Sequence, residues 1–140
     1  MIEHVSIGVR DLSRAIAFYD AVLAPLELVR GVDWPSTPEH PFTSAGYGPP
    51  EPDPVLRENK SVFHLEQRPD ATPAGPGFHI CFKAQTRFAV REFHRIGLIR
   101  GAADYGAPGL RAHYTPAYYG AFLVDTEGWR IEAMTYAPEA

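Results

Sequence analysis

Two histidines and two glutamates in this 140-residue chain have the residue types and spacing to do chemistry. His4 and His79 stand 75 residues apart (79 − 4 = 75), each in the same local setting. Val5, Ile7 and Val9 alternate as the buried face of a strand, which places His4, Ser6 and Gly8 on the opposite face. Phe78, Ile80, Phe82 and Ala84 repeat the pattern, with His79, Cys81 and Lys83 opposite. Late in each half a strand carries a glutamate, Glu66 in FHLEQ and Glu132 in WRIEA, which match at an offset of 66 (132 − 66 = 66). Two imidazoles and one or two carboxylates converging in a sheet cavity suit a divalent ion such as Zn, Ni, Mn, Co or Fe(II), and ligands drawn from separate strands leave positions open for substrate. His4, His79 and Glu132 are the strongest candidates, and Glu66 is the fourth by internal symmetry. His64 shares the parity of Glu66 and could replace it, but it is expected to line the pocket in place of an apolar side chain while Glu66 joins the site.

The competing account of a strand histidine is a hydrogen-bonded pocket or core residue. His40, in a loop, and His94, beside a helix stripe, have no supporting pattern. Cys81 lacks a cationic neighbour in sequence and reads as an inert thiol. If Asp125–Gly128 is the turn, Val124 faces Trp129 and Ala121 faces Glu132, and the Tyr119 phenol lies on the Glu132 side, placed to reach a substrate. Arg111 and His113, in a glycine-containing loop, could hold a substrate anion or shuttle a proton. The general exposure of arginine makes a solvated loop the simpler account of Arg111. Trp34, Tyr119 and Trp129 could line an aromatic cavity.

The elements that must position these residues repeat. Asp11 and Thr86 are N-caps. They precede apolar stripes at helical spacing: Leu12, Ala15, Ile16, Tyr19, Val22 and Leu23, then Ala89, Val90, Phe93 and Ile96. Strands are expected at 26–30, 42–47 and 61–66 in the first half, and at 100–104, 118–124 and 129–136 in the second. The order is βαβββ twice over, a module at 1–68 and another at 77–136, joined by the proline-rich linker 69–76 in one domain spanning 1–140. A chain of this length can bury a core without staples, and a single cysteine excludes an internal disulfide framework. A net charge of −4 without a basic cluster argues against nucleic acid. No stretch is long and apolar enough for a membrane span, and the N-terminus does not read as a signal peptide, so the cytoplasm is the expected compartment.

HVSIGVRDLSRAIAFYDAVLAPL resembles the opening signature of the vicinal oxygen chelate superfamily, which includes glyoxalase I, extradiol dioxygenases and the bleomycin- and fosfomycin-resistance proteins. GFHICF resembles the strand carrying its second histidine, and VDTEGWRIEAM its closing turn and strand. The resemblance implies an α+β fold in which paired βαβββ modules form a half-open barrel around a divalent metal. By position it implies His4, His79 and Glu132 as metal ligands, with Glu66 completing the two-histidine, two-glutamate set of glyoxalase I.

The function this implies is a metal-dependent, glyoxalase-like isomerase or lyase acting on a small substrate with adjacent oxygens. Glu132 or Glu66 would move the proton alpha to a carbonyl, and Tyr119 and His113 would assist. One alternative is an Fe(II) extradiol-type dioxygenase using His4, His79 and Glu132 as a facial triad. The other is a metal-free protein that sequesters a drug or metabolite. A homodimer is compatible with each.

Overall fold

The computed structural model describes residues 1–139, and of Val32 the backbone alone. Its two helices form where caps and stripes coincide. Helix α1 spans Leu12–Leu23, and the Asp11 carboxylate accepts from the Arg14 amide; α2 spans Arg87–Ile99, and the Thr86 hydroxyl accepts from the Ala89 amide. Each cap satisfies an amide that the first turn leaves without a partner. Pro25 does not end the first helix outright. It sits in a short 3-10 turn, Ala24–Leu26, closed by Glu27 in the left-handed conformation.

Eight strands complete the fold among the described residues: β1 Val5–Val9, β2 Val29–Trp34, β3 Ser44–Gly48, β4 Phe63–Gln67, β5 Ile80–Lys83, β6 Ala103–Leu110, β7 Tyr119–Val124 and β8 Arg130–Thr135. They form two four-stranded sheets with the same internal order, β1-β4-β3-β2 and β5-β8-β7-β6. In each, the first strand pairs in parallel with the last and the other pairings are antiparallel. The α+β architecture of two βαβββ units is therefore the one expected, although among the described residues no strand of one sheet pairs with the other and no closed barrel results.

Two strand expectations are corrected. The second strand is Val29–Trp34 rather than 26–30, because the 3-10 turn and Glu27 occupy the earlier positions. The sixth is Ala103–Leu110 rather than 100–104, because α2 runs to Ile99 and the strand then continues through what reads as a loop. Pro108 is tolerated there because β6 is an edge strand with shifts of register between Asp104 and Gly106 and between Gly106 and Gly109.

The helices cover one side of the sheets and share one core. Phe18, Tyr19, Val22, Phe63, Val90, Phe93 and Ile131 are buried in it, and the Phe63 and Phe82 rings meet edge-on at 5.1 Å across the two halves. The β7–β8 turn grips the start of α1. The Glu127 carboxylate accepts from the amides of Arg10 at 2.8 Å and Asp11 at 3.0 Å, and Trp129 Nε1 donates to the Gly8 carbonyl at 3.0 Å. Asp125 is buried, and burial raises its carboxyl above the usual range. It accepts from the Tyr19 hydroxyl and, at 2.8 Å each, from the amides of Glu127 and Trp129.

Removing Asp125 leaves a buried phenol and two amides without their acceptor. Asp125→Ala should cost about 3 kcal/mol in urea unfolding. Asp70→Ala, at an exposed linker position, should stay within about 0.5 kcal/mol.

Candidate functional site

On the face of the second sheet turned away from the helices, Glu132 is 1% exposed although it carries a carboxylate. Burying such a group requires compensating donors. Tyr118 donates its hydroxyl to Oε1, and His79 Nε2 lies 3.0 Å from Oε2. Burial, then the bond to Glu132, pushes the Tyr118 phenol well above its ordinary pKa, so it remains a donor. Cys81, cross-strand from Glu132, is exposed as a residue but turns its sulfur to Glu132 and Tyr118. Burial of the thiol, and then Glu132, push its pKa up to about 12, which keeps it a protonated, unreactive thiol. Gly120 permits the arrangement, since a Cβ there would stand 3.1 Å from Glu132 Oε1 and 3.2 Å from the Tyr118 ring.

The first sheet carries a different set at the matching place. His4 stacks on His64 with centroids 4.7 Å apart, and its Nδ1 is bonded to the Glu3 carboxylate. Desolvation, then the neighbouring His4, lowers the His64 pKa, and His64 Nε2 is buried without a hydrogen-bond partner. Beside it opens a cavity of about 380 Å³, lined by Ser6, Trp34, Thr37, His40, Ser44 and Glu66 among others. Glu66 is already engaged: Arg68 donates to Oε1 at 3.2 Å, and His40 Nε2 lies 3.5 Å from Oε2.

Strand register settles which residues correspond between the halves. Ser6 is cross-strand from His64, and Cys81 is cross-strand from Glu132. Ser6 and Cys81 are themselves 75 residues apart (81 − 6 = 75), the same offset as the histidines. The place of Glu132 is therefore taken in the first half by His64, at an offset of 68 (132 − 64 = 68), and Glu66 lies two residues further along its strand. The equivalent pairs are His4–His64 and His79–Glu132. Each leading histidine stands one residue before its strand rather than within it.

Tyr119 requires a correction of the same kind. Val124 faces Arg130, not Trp129, so Phe122 is opposite Glu132 and Ala121 opposite Ala133. Tyr119 thus turns to the helix side, where the Arg87 guanidinium lies over its ring at 5.0 Å. The phenol that reaches Glu132 is Tyr118, immediately before β7. A turn one residue longer than Asp125–Gly128 accounts for the change. Trp129 also faces the core and Gly8, whereas Trp34 does line the first-sheet cavity. His113 is exposed, its ring 4.3 Å from that of Tyr114, which in turn meets Tyr118 at 5.1 Å. His40 and Arg68, both of which bind Glu66, gave no periodic signal because one is in a loop and the other follows the end of β4.

His79 Nε2 and Glu132 Oε2 pair with each other at 3.0 Å and are also close enough to serve as neighbouring ligands of one ion. These two residues therefore fit two positions of a divalent metal. No group of three or more His, Cys, Asp or Glu able to hold a metal forms among the described residues. His4 and Cys81 do line a common cleft of about 230 Å³ between the edge strands β1 and β5.

No family model and no curated protein matches the chain in sequence. Solved structures match it in fold. A glyoxalase/bleomycin resistance protein from Albidiferax ferrireducens T118 is 28% identical, with 97% of this chain and 98% of that one covered and a TM-score of 0.74. A glyoxalase/bleomycin resistance protein/dioxygenase family enzyme from Burkholderia phytofirmans PsJN is 21% identical, with coverage of 97% and 98% and a TM-score of 0.64. A glyoxalase I mutant from Zea mays is 19% identical with a TM-score of 0.68, covering 95% of this chain but 45% of its own. The fold is that of the glyoxalase/bleomycin resistance/dioxygenase structures. These matches are consistent with the vicinal oxygen chelate superfamily that the chain's motifs resemble.

Tyr118→Phe should remove a donor from a buried carboxylate while leaving the ring in place. The expected cost is about 2 kcal/mol in denaturant unfolding. Tyr114→Phe, at an exposed ring, should change stability by less than about 0.5 kcal/mol.

Proposed function

We propose that the chain is a metal-dependent enzyme of glyoxalase-like, isomerase or lyase type, acting on a small molecule with adjacent oxygens. The observation that carries this reading is the His79–Glu132 pair, a nitrogen and an oxygen 3.0 Å apart on a sheet face, with the carboxylate buried. His79 and Glu132 would hold the ion, with His4 across the β1–β5 cleft as a third ligand. His64 stands in the slot equivalent to Glu132, with a buried Nε2 free of partners, and is the fourth. Glu66 would have to leave Arg68 and His40 to coordinate, so it acts here on the first-sheet cavity. The ion would supply Lewis-acid polarisation of a substrate oxygen.

The chain's own groups do the rest. Tyr118 holds Glu132 Oε1 in a fixed direction, so a proton removed alpha to a carbonyl has one defined acceptor. Phe122, opposite Glu132, and His79, 5.9 Å from it between ring centroids, wall the same face and limit water. We propose further that the working form is a homodimer in the cytoplasm, since a second copy would cover the exposed face that carries Tyr114 and Tyr136. No helix of the described residues is long and apolar enough to cross a membrane.

The first-sheet cavity supports a second reading, a metal-free protein that sequesters a planar compound against Trp34. The two separate in one experiment. After chelation, the protein is reloaded with Zn, Ni, Mn or Fe(II), and metal content is measured alongside turnover of 2-oxoaldehyde adducts and catechols. The proposal expects stoichiometric uptake and turnover with a redox-silent ion. His79→Ala and Glu132→Gln should each weaken metal binding by at least about a hundredfold. Oxygen uptake confined to the iron or manganese form would assign a dioxygenase. Tight aromatic binding with no uptake of any ion would assign the sequestering role.

A further inference from the structure

Arg111 is held in a way that an idle surface arginine is not. Its Nη2 donates to the Ala107 carbonyl at 2.8 Å, and its guanidinium carbon lies 5.6 Å from the centre of the Phe122 ring. Two glycines make room for it. A Cβ on Gly106 would stand 3.2 Å from Nη2, and one on Gly109 would stand 3.2 Å from Nη1. The fork is thus laid against bare backbone on one side and an aromatic ring on another, and it is only partly exposed. Much of the rotamer freedom that an arginine gives up on binding is already spent.

No acid accompanies it. Arg30, Arg68, Arg87, Arg91 and Arg95 are each ion-paired to Asp or Glu, whereas Arg111 forms no such pair among the described residues. The ring over which it sits is also informative. Phe122 is directly cross-strand from Glu132, and its other neighbour is the His79 imidazole. One aromatic side chain therefore separates a fixed, uncompensated cation from the His79–Glu132 pair. Arg130, two residues before Glu132 on the same face, is likewise without a carboxylate partner among the described residues and lies over the Tyr105 ring at 5.6 Å. The positive character of this face is notable in a chain whose net charge is −4.

We propose that Arg111 is the anchor for a carboxylate on the substrate, and that the substrate class is small 2-oxo or 2-hydroxy carboxylic acids. The carboxylate would take one edge of the fork, accepting from two of the N–H groups that Ala107 leaves free, a geometry that guanidinium matches with paired hydrogen bonds. An apolar substituent would lie over Phe122, and the oxygens next to the carboxylate would point toward His79 and Glu132. The orientation of those oxygens rests on the proposed function. The anchor does not, since it needs no metal.

The test uses chelator-treated full-length protein and isothermal titration with phenylpyruvate, its methyl ester, and inorganic phosphate. The expected result is that the acid binds at least about tenfold more tightly than the ester, as a charge-assisted bond would give. Arg111→Gln should abolish that preference. Gly109→Val, which keeps Arg111 but fills the space beneath it, should abolish most of it as well. Arg111→Lys should retain a partial preference, because charge without the planar fork remains. Thermal unfolding of each variant shows whether it is folded, and the acid-to-ester comparison in the unaltered protein stands without any variant. Equal binding of acid and ester, a preference that survives Arg111→Gln in folded protein, or binding of phosphate in place of the acid would each overturn the proposal. Failure of metal uptake with the acid preference intact would remove the proposed function and leave the anchor.

Discussion

The grip of the β7–β8 turn on the start of α1 is the constraint on which the rest of the structure depends. Each half, taken alone, is a four-stranded sheet with one helix, and such a unit leaves its helix only partly covered. The turn joins the halves through directed bonds rather than apolar contact alone. Glu127 supplies both carboxylate oxygens to the amides of Arg10 and Asp11 at the positive end of α1, Asp125 receives the buried Tyr19 hydroxyl, and Trp129 bonds Gly8 on β1. An anion at a helix N-terminus is favoured by unsatisfied amides and by the helix dipole together. Because bonds of this kind have direction, they set how β1 lies relative to β8, and so where His4 stands with respect to Glu132.

Within that frame, the halves share a scaffold and differ in what they place on it. The slot opposite Ser6 holds an imidazole, and the equivalent slot opposite Cys81 holds a carboxylate. The difference extends to the neighbours. Around His64 the face is small or aromatic, with Ser6, Ser44 and Trp34 around a cavity, so a planar guest has room. Around Glu132 it is filled by Tyr118, Phe122 and His79, so the room goes to fixing one carboxylate. The two like-ordered sheets thus carry a cavity on one and a rigid His79–Glu132 pair on the other, with the β1–β5 cleft between them.

The fold was legible in the sequence because its signals are local. A cap followed by a stripe of period 3.6 names a helix wherever it occurs, and period-two alternation named β1 and β5 with their outward residues. What sequence could not resolve was anything set by the length of a turn. One residue between Val124 and β8 decides whether Tyr118 or Tyr119 meets Glu132, since a shift of one exchanges the faces of a strand. Two residues along β4 decide whether His64 or Glu66 is the counterpart of Glu132, and both have the same parity, so alternation cannot choose between them. The partners of Glu66 were hidden for another reason. His40 arrives from a proline-rich loop whose path no periodicity describes. Similarly, Pro108 and two glycines made β6 read as a loop, although an edge strand with irregular register accommodates all three.

The burial of Glu132 separates folding from function. A carboxylate taken out of water costs several kcal/mol, and an apolar side chain at the same strand position would cost nothing. The sheet itself does not need a charge there, since β8 is held by its pairing with β5 and β7 and by Ile131 and Ala133 on the helix side. The fold bears the expense with three provisions: the Tyr118 hydroxyl, the His79 imidazole, and a glycine at 120 that leaves room for the carboxylate and phenol to meet. The equivalent slot in the first half is also polar, and its His64 Nε2 is left buried without a partner. Two polar groups thus stand at symmetry-related positions, each more costly than the leucine or valine that would suit the sheet, and neither is accounted for by what the sheet itself needs.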